Sequence, residues 1–347
     1  MTETRAYAAF APDKPLGPWT FNRREPRPSD VVLDILYCGI CHSDLHTVRG
    51  EWGGSAYPIV PGHEIVGRVS RVGGEVKKLK VGDMAGVGCM VDSCRTCASC
   101  KDGLEQYCER GNTLTYGAKD LDGGLTQGGY SGQIVVDEAF VLRAPTGLAP
   151  ETVAPLLCAG ITTYSPLRHW KVGKGSKVAV LGLGGLGHMG VKIANALGAE
   201  VTMLSGSASK KADAQRLGAH EFVLTSNADE LKKAAGRFDL VLDTVSAPHD
   251  LPTFLGLLKR DGTLVMVGAS PSPLGLPTFS LIGRRRRIAG SLIGGIAETQ
   301  EMLDFCGKHG FGADVEVIEP SKINEAYERM LKSDVRYRFV IDTKAFR

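Results

Sequence analysis

The chain has 347 residues, more than one ordinary domain needs, and its 43% hydrophobic and 23% charged residues are typical of a globular protein. Its formal net charge of +3 argues against nucleic acid or an anionic membrane surface as a partner. No window approaches the roughly 20 consecutive apolar residues that span a bilayer, and the N-terminus lacks the apolar stretch of a secretory signal. With nine cysteines and no export signal, we expect a cytoplasmic protein whose cysteines serve metal binding or catalysis rather than disulfides.

The first part of the chain contains short segments rich in valine and isoleucine, separated by glycine and proline. Examples are residues 31–37, 65–72 and 133–136. This pattern predicts an irregular, barrel-like antiparallel β region.

The middle of the chain alternates predicted strands with predicted helices. The C-terminal part contains two further predicted helices and two further predicted strands. The predicted strands are 177–181, 201–204, 221–224, 240–243, 263–268, 314–318 and 338–341, and the predicted helices are 186–197, 210–217, 298–307 and 322–332. Regular alternation predicts right-handed βαβ units and a parallel sheet covered on both faces. We therefore predict an α/β fold in which a doubly wound, Rossmann-type sheet is inserted in a mainly β domain.

A glycine-rich turn follows the strand predicted at 177–181 and opens a predicted helix. Residues 182–187 read Gly-Leu-Gly-Gly-Leu-Gly. In this position Gly182 permits a tight turn, Gly184 lets the backbone approach a pyrophosphate, and Gly187 lets helix and strand pack closely. With Gly185 and Leu186, these residues predict a dinucleotide site at a helix N-terminus.

The residues after the second strand of this sheet indicate which dinucleotide binds. An NAD site usually has Asp or Glu there to accept a hydrogen bond from the ribose 2′-hydroxyl, whereas residues 205–211 contain three serines, two lysines and no carboxylate. Hydroxyls and an ammonium group suit a 2′-phosphate, so we expect Ser205, Ser207 and Lys210 to bind NADP(H). In the alternative interpretation, Ser205 or Ser207 only caps the next helix.

Four cysteines form the strongest short motif. They have two, two and seven residues between them: Cys94, Cys97, Cys100 and Cys108. Four thiolates on one loop can surround a tetrahedral zinc at about 2.3 Å and leave no open position, which predicts a structural site. An iron–sulfur cluster is chemically possible, but nothing else in the sequence indicates electron transfer.

A second set of metal-binding residue types is dispersed: Cys41, His63, Glu64 and Cys158. Spacing alone does not join them, and singly each would be an ordinary buried side chain. Polar residues crowd around Cys41 and His63 between apolar strands, and Cys158 lies where the β region meets the parallel sheet. A junction between domains is where a ligand cleft is expected.

Segments along nearly the whole chain resemble the zinc-dependent medium-chain dehydrogenase/reductase superfamily, and within it the alcohol dehydrogenases and aldehyde reductases of cinnamyl alcohol dehydrogenase type. The matching segments are 38–46, 61–67, 94–108, 126–130, 158–164, 182–192 and 290–295. The resemblance implies a GroES-like catalytic domain at 1–152 and 298–347 with both zinc sites. It also implies a Rossmann dinucleotide-binding domain at 153–297, and a homodimer.

The resemblance further implies that Cys41, His63 and Cys158 hold a catalytic zinc. Glu64 would be either a fourth ligand or a residue that moves aside for substrate. Asp44 either hydrogen-bonds the far nitrogen of His63 or caps a turn.

A proton relay is implied through Ser43, the cofactor ribose and His46, and a histidine that titrates near neutrality suits such a path. Thr162, Val267 and Ser291 are implied at the cofactor. The expected reaction is reversible hydride transfer between NADP(H) and a small-molecule primary alcohol/aldehyde pair.

Two alternative functions remain, one an enzyme of the same fold and the other a binding module. One keeps the fold but oxidises polyols or secondary alcohols with NAD. The other makes the four-cysteine loop a zinc-ribbon module for nucleic acid or protein, which the small net charge and the second ligand set disfavour.

The sequence departs from the resembling family at two places. Leu114 stands where plant members carry tryptophan, so an aromatic surface for a phenylpropenyl ring is lost, although Trp52 is a candidate for lining the cleft. The run from Arg284 to Arg287 is interpreted as a solvated or interface edge rather than a phosphate site.

Overall fold

The computed structural model describes residues 1–270 and 272–346. Over these residues the strands are β1 (Thr2–Ala8), β2 (Gly17–Arg23), β3 (Asp30–Gly39), β4 (Ile65–Val72), β5 (Met84–Val87), β6 (Met90–Asp92), β7 (Thr113–Leu114), β8 (Gln133–Asp137), β9 (Leu142–Arg143), β10 (Lys177–Leu181), β11 (Glu200–Ser205), β12 (Glu221–Leu224), β13 (Phe238–Asp243), β14 (Leu258–Met266), β15 (Arg287–Gly290), β16 (Val315–Ile318) and β17 (Arg338–Asp342).

The helices are α1 (His42–Val48), α2 (Ala98–Lys101), α3 (Pro150–Val153), α4 (Ala159–His169), α5 (Gly187–Ala196), α6 (Lys211–Arg216), α7 (Ala228–Ala234), α8 (Leu251–Gly256), α9 (Phe279–Ile282), α10 (Ile296–His309) and α11 (Ile323–Leu331). Within the described ranges, none of them combines the length and apolar character that crossing a bilayer requires.

The chain forms two compact units. The first consists of Met1–Cys158 and the C-terminal part from Gly294 onward, and the second is Ala159–Ile293. The first unit continues past the boundary expected at residue 152 because the 3-10 turn Ala154–Leu157 packs on its sheet. A Cβ on Gly86 in β5 would lie 2.8 Å from Leu157 Cδ1.

The first unit is built on a mixed sheet in the order β16-β17-β3-β4-β5-β9, with β8 also paired to β3. Strand β3 is antiparallel to β4, β8 and β17, so the C-terminal strand completes the sheet of the N-terminal piece. The register places Cys38 opposite Ile65. The residues that follow β3 and those that precede β4 therefore lie side by side.

The second unit contains a six-stranded parallel sheet in the order β12-β11-β10-β13-β14-β15. This is the order of a Rossmann sheet, and it confirms the predicted fold class. Its strands are rich in valine and leucine because both faces are buried, as shown by Leu204, Val241 and Leu264, each with 0% exposure. The glycine turn lies at the carboxyl end of β10, the edge where ligands of such sheets bind.

Most predicted elements are present, with shifted ends. Helix α11 buries Ile323, Ala326, Tyr327 and Met330, which share one face at helical spacing. The helix predicted at 210–217 begins instead as the 3-10 turn Ala208–Lys210. Strand β14 starts at Leu258, ahead of the predicted 263, because Phe238 at the start of β13 pairs with it.

Candidate active site and metal centres

Asp44 organises the start of α1. The residue is fully buried, and its Oδ2 accepts hydrogen bonds from the Cys41 backbone N–H at 2.9 Å and from the Tyr130 hydroxyl at 3.2 Å. Its Oδ1 lies 3.1 Å from His63 Nδ1 and also accepts the Gly62 N–H. Asp44 thus performs both roles considered from the sequence: it caps α1 and holds the His63 ring, which leaves Nε2 for a metal.

Four buried donors converge in the first unit: Cys41, His63, Glu64 and Cys158. One ligand atom of each lies within 4.8 Å of those of the others. The sulfurs of Cys41 and Cys158 are 4.0 Å apart. Two sulfurs bound at about 2.3 Å to one tetrahedral zinc would lie about 3.8 Å apart, so the spacing fits that ion.

Glu64 also pairs with a buried arginine that the sequence reasoning missed. Its Oε1 accepts a hydrogen bond from Arg338 Nη2, while its buried Oε2 finds no partner within the described part of the chain. Gly39 makes room for the carboxylate, because a Cβ there would lie 1.9 Å from Oε2. An unpartnered carboxylate oxygen beside three other donors fits a bound cation.

Burial and charge shift the acidities in this cluster. A hydrogen bond from Cys158 holds the pKa of the Cys41 thiol well below its ordinary value, and the charges of Arg338 and His63 act in the same direction. Burial raises the pKa of Glu64 to about 8, against the effect of Arg338. A divalent cation at this point would favour the ionised form of both groups.

The four-cysteine loop also converges on one point. The ligand sulfurs of Cys94, Cys97, Cys100 and Cys108 lie within 4.8 Å of one another, and those of Cys94 and Cys100 are 3.9 Å apart. Backbone N–H groups of Thr96 and Cys97 lower the pKa of Cys94 to about 5. Preformed donors to sulfur and this spacing suit a closed four-thiolate zinc site.

The glycine turn has the geometry that its three glycines suggest. Gly182 has a φ of +91°, which favours glycine, and a Cβ on Gly187 would lie 1.8 Å from the Gly182 carbonyl oxygen. At Gly184, no described atom outside its immediate neighbours lies within 4 Å of a Cβ position. The backbone there is open to a pyrophosphate, and α5 begins at Gly187, after Gly185 and Leu186.

The residues expected at the 2′-phosphate lie together after β11. The Ser205 Oγ accepts the Ser207 N–H at 3.3 Å, and the Ser207 and Ser209 hydroxyls are 2.8 Å apart. Lys210 Nζ donates to the Leu183 carbonyl of the glycine turn at 2.7 Å. Ser207 precedes the 3-10 turn, but its side chain makes no capping bond to it. The Ser207 hydroxyl therefore does not cap the 3-10 turn, whereas the Ser205 hydroxyl does accept a local backbone N–H, as the capping alternative expects of it.

The other expected cofactor residues are also in the second unit. Val267 follows β14 and donates its N–H to the Asp243 carbonyl at 2.9 Å, and Ser291 follows β15 and donates to the Met266 carbonyl at 3.1 Å. Both therefore stand at the carboxyl end of the parallel sheet. Thr162 lies in α4 and is 6% exposed.

Ser43 and His46 occupy one face of α1, three residues apart. The Cys41 sulfur lies 3.5 Å from the Ser43 hydroxyl. The His46 ring is half-buried, contacts the Glu51 carboxylate through Nδ1, and lies 5.2 Å from the exposed Trp52 ring. The Ser43 hydroxyl thus lies beside the metal donor Cys41, and the His46 ring, one turn further along α1, reaches solvent.

The arginine run makes local contacts instead of forming an anion site. Arg285 pairs with Asp261, Arg286 donates to the Leu258 and Gly256 carbonyls, and Arg287 donates to the Asp261 carbonyl. These bonds fix the turn before β15.

Comparison with known proteins agrees with this architecture. The family model described as "Alcohol dehydrogenase GroES-like domain" matches residues 27–146, and the one described as "Zinc-binding dehydrogenase" matches residues 185–308. The chain is 59% identical to NADP-dependent alcohol dehydrogenase C 1 of Mycolicibacterium smegmatis, with all of both chains covered. It is 57% identical to aldehyde reductase YahK of Escherichia coli over 98% of each chain.

A solved structure agrees as well. Cinnamyl alcohol dehydrogenase SbCAD4 of Sorghum bicolor superposes with a TM-score of 0.96 at 46% identity, covering 100% of this chain and 99% of that one. Family models, relatives and fold together show that the chain belongs to the zinc-dependent medium-chain alcohol dehydrogenases of cinnamyl alcohol dehydrogenase type.

Proposed function

We propose that this protein is a zinc-dependent alcohol dehydrogenase and aldehyde reductase that transfers hydride reversibly between NADP(H) and an aldehyde/primary alcohol pair. The observation that carries the proposal is the convergence of Cys41, His63 and Cys158 beside a carboxylate already paired with Arg338. Three strong donors and one replaceable donor suit a catalytic zinc. The names of the Mycolicibacterium and Escherichia relatives support the cofactor and the substrate class.

The protein's own residues orient the reacting groups. When bound, zinc supplies a Lewis acid to the substrate oxygen and NADPH supplies the hydride. Asp44 fixes the His63 ring, and Arg338 holds the Glu64 carboxylate, so that Cys41, His63 and Cys158 would be the firm donors to the metal and Glu64 the replaceable one. The low exposure of Cys41 and Cys158, 8% and 7%, excludes water around the donors.

The same helix supplies a path for the proton. In reduction, the Ser43 hydroxyl would give its proton to the substrate oxygen, and His46 would resupply Ser43 from solvent by way of the ribose of the bound cofactor. His46, with Glu51 beside it, passes the proton from solvent.

Steady-state kinetics test this function. The zinc-loaded protein is assayed with NADPH and with NADH against a graded aldehyde series, and in reverse against primary alcohols and polyols. We expect aldehyde reduction with NADPH to give the highest kcat/KM. Polyol oxidation with NAD as the preferred reaction would instead support the alternative dehydrogenase.

Ser205→Asp tests the 2′-phosphate site. A carboxylate beside that phosphate repels it, so we expect the KM for NADPH to rise at least about tenfold and that for NADH to change less than about twofold. Ser205→Asn, similar in size but uncharged, serves as the matched control. Equal effects of Ser205→Asp on both cofactors would contradict the assignment of Ser205, Ser207 and Lys210.

A homodimer is part of the proposal. Strand β15 ends the parallel sheet, and nearby Phe279 and Ile282 are 80% and 67% exposed. An open strand edge flanked by large apolar side chains suits pairing with a second copy about a two-fold axis. We expect sedimentation at twice the mass of one chain, and at the mass of one chain for Phe279→Lys/Ile282→Lys. A monomeric wild type would contradict this.

We place the protein in the cytoplasm. All nine cysteines are free thiols in the first unit, and six of them belong to the two metal sites. Thiolate sites of this kind persist in a reducing compartment. Fractionation of cells that make the protein would test this, and recovery outside the cytoplasm would contradict it.

A further inference from the structure

Residues 244–250, here called the 244–250 segment, join β13 to α8 and begin against the glycine turn. The Thr244 hydroxyl donates to the carbonyl oxygens of Leu181 and Gly182, at 2.7 and 3.1 Å. A Cβ on Gly182 would lie 3.0 Å from Val245 Cγ2, and one on Gly268 would lie 2.4 Å from the Val245 carbonyl oxygen. The position of this segment therefore sets the shape of the turn that receives the pyrophosphate.

Asp243 ties both ends of the 244–250 segment to the sheet. It is the last residue of β13 and is 1% exposed. Its Oδ1 accepts the Val245 N–H at 3.1 Å, and its Oδ2 lies 2.8 Å from His249 Nε2. One buried carboxylate thus connects the start of the segment to its end.

Both ring nitrogens of His249 have hydrogen-bond partners, one in the 244–250 segment and one in Asp243. Its Nδ1 lies 2.9 Å from the Ala247 carbonyl oxygen, which can only accept, so Nδ1 carries a hydrogen. A hydrogen bond between Nε2 and Asp243 then needs a further proton, held either by the imidazole or by the carboxyl group. Burial raises the pKa of Asp243, which favours retention of that proton in the pair. The ring also packs on Phe254 of α8, with 5.8 Å between centroids.

We propose that Asp243 and His249 are positioning residues for the cofactor: the hydrogen bond between them closes the 244–250 segment against the glycine turn and so presets the pyrophosphate site of NADPH. This inference rests on the proposed function, because the turn has to bind NADP(H). Neither side chain has to touch the nucleotide. Their effect passes through Thr244 and Val245, which contact the turn directly.

The first test is the affinity of the zinc-loaded protein for NADPH, measured by fluorescence titration without substrate. For His249→Ala we expect Kd to rise about tenfold, as loss of one charge-assisted hydrogen bond implies. Since the zinc donors belong to the other unit, we expect kcat at saturating NADPH to stay within about twofold while the KM for NADPH rises. A general loss of structure would instead lower kcat and the zinc content together.

Two substitutions at Asp243 separate positioning from simple packing. In Asp243→Asn the amide oxygen can still accept the Val245 N–H, and the amide N–H can donate to a neutral His249, so every bond is kept without the extra proton. We expect this variant to bind NADPH within about twofold of wild type. Asp243→Leu fills similar space without these bonds, and we expect it to match His249→Ala.

His220→Ala is the matched control, because His220 accepts the Val201 N–H at 3.0 Å at the amino end of β11, away from the turn. We expect its Kd for NADPH to equal that of wild type. Wild-type affinity in both His249→Ala and Asp243→Leu would overturn the inference, as would Asp243→Asn binding as weakly as Asp243→Leu. A wild type that binds no NADPH would instead overturn the proposed function.

Discussion

Cys41→Ser is expected to lower kcat/KM for aldehyde reduction by about a thousandfold or more, because polarisation of the substrate oxygen by the metal contributes several kcal/mol to the transition state. Cys41 and Cys158 are the two thiolates of the dispersed donor set, and their 4.0 Å separation fits one zinc. A hydroxyl is a much weaker ligand than a thiolate at neutral pH. We expect zinc analysis to fall from two ions per chain to one.

The same variant should keep its cofactor site. The glycine turn belongs to the second unit, whereas Cys41 belongs to the first, so we expect an unchanged Kd for NADPH. Cys306→Ser is the matched control: Cys306 is also a buried thiol of the first unit but lies in α10, outside both metal sites. Its turnover should remain near that of wild type. Full activity of Cys41→Ser would show that the catalytic zinc is elsewhere.

Arg338→Met is expected to lower the free energy of unfolding by about 3–5 kcal/mol, the usual result of removing one partner of a buried ion pair. Arg338 is 4% exposed and contacts the Glu64 carboxylate, which is itself fully buried. Without the guanidinium, that carboxylate loses its charged hydrogen-bond partner while it stays fully buried. Denaturant unfolding of the zinc-loaded protein measures the difference.

Two further variants give this prediction its controls. Glu64→Leu/Arg338→Met replaces both charges with apolar groups of similar size, so we expect most of the lost stability to return. Arg336→Met changes an exposed arginine two residues away, and its effect should be about 0.5 kcal/mol or less. A loss below about 1 kcal/mol in Arg338→Met would mean that the pair behaves like a surface salt bridge.

Local patterns were sufficient to predict the fold and the convergence of the four-cysteine loop. The alternation of strands and helices after residue 177 predicted the parallel sheet, because helices that connect parallel strands cover both faces of the sheet. Strands buried in this way need continuous apolar runs, which the sequence has. The four-cysteine spacing predicted a convergent sulfur cluster, since the loop that carries it is short. The resemblance to a family was needed for Cys41, His63 and Cys158, which come from distant segments. Pairing of β3 with β4 brings Cys41 and His63 together, and Cys158 follows the 3-10 turn that packs on the same sheet.

Other features depend on long-range pairing that single-sequence patterns do not carry. Arg338 stands in a strand with Phe339, Val340 and Ile341, and an arginine in such an apolar run was the available signal. Its partner Glu64 lies far away in the sequence, and the two are brought together by the pairing of β17 with β3 and of β3 with β4. Asp243 and His249 were missed because their functional connection runs through a turn rather than through a motif.

The most direct measurement uses NADPH that carries deuterium at the transferable position of its nicotinamide ring. The zinc-loaded protein is incubated with this cofactor and an aldehyde, and the alcohol is analysed by NMR and mass spectrometry. We expect one deuterium on the carbinol carbon of the product, and at least about a thousandfold less labelled alcohol in the same time when Cys41→Ser replaces the wild type. Product formed without the label, or equal labelling by the Cys41→Ser protein, would contradict hydride transfer at the Cys41, His63 and Cys158 site.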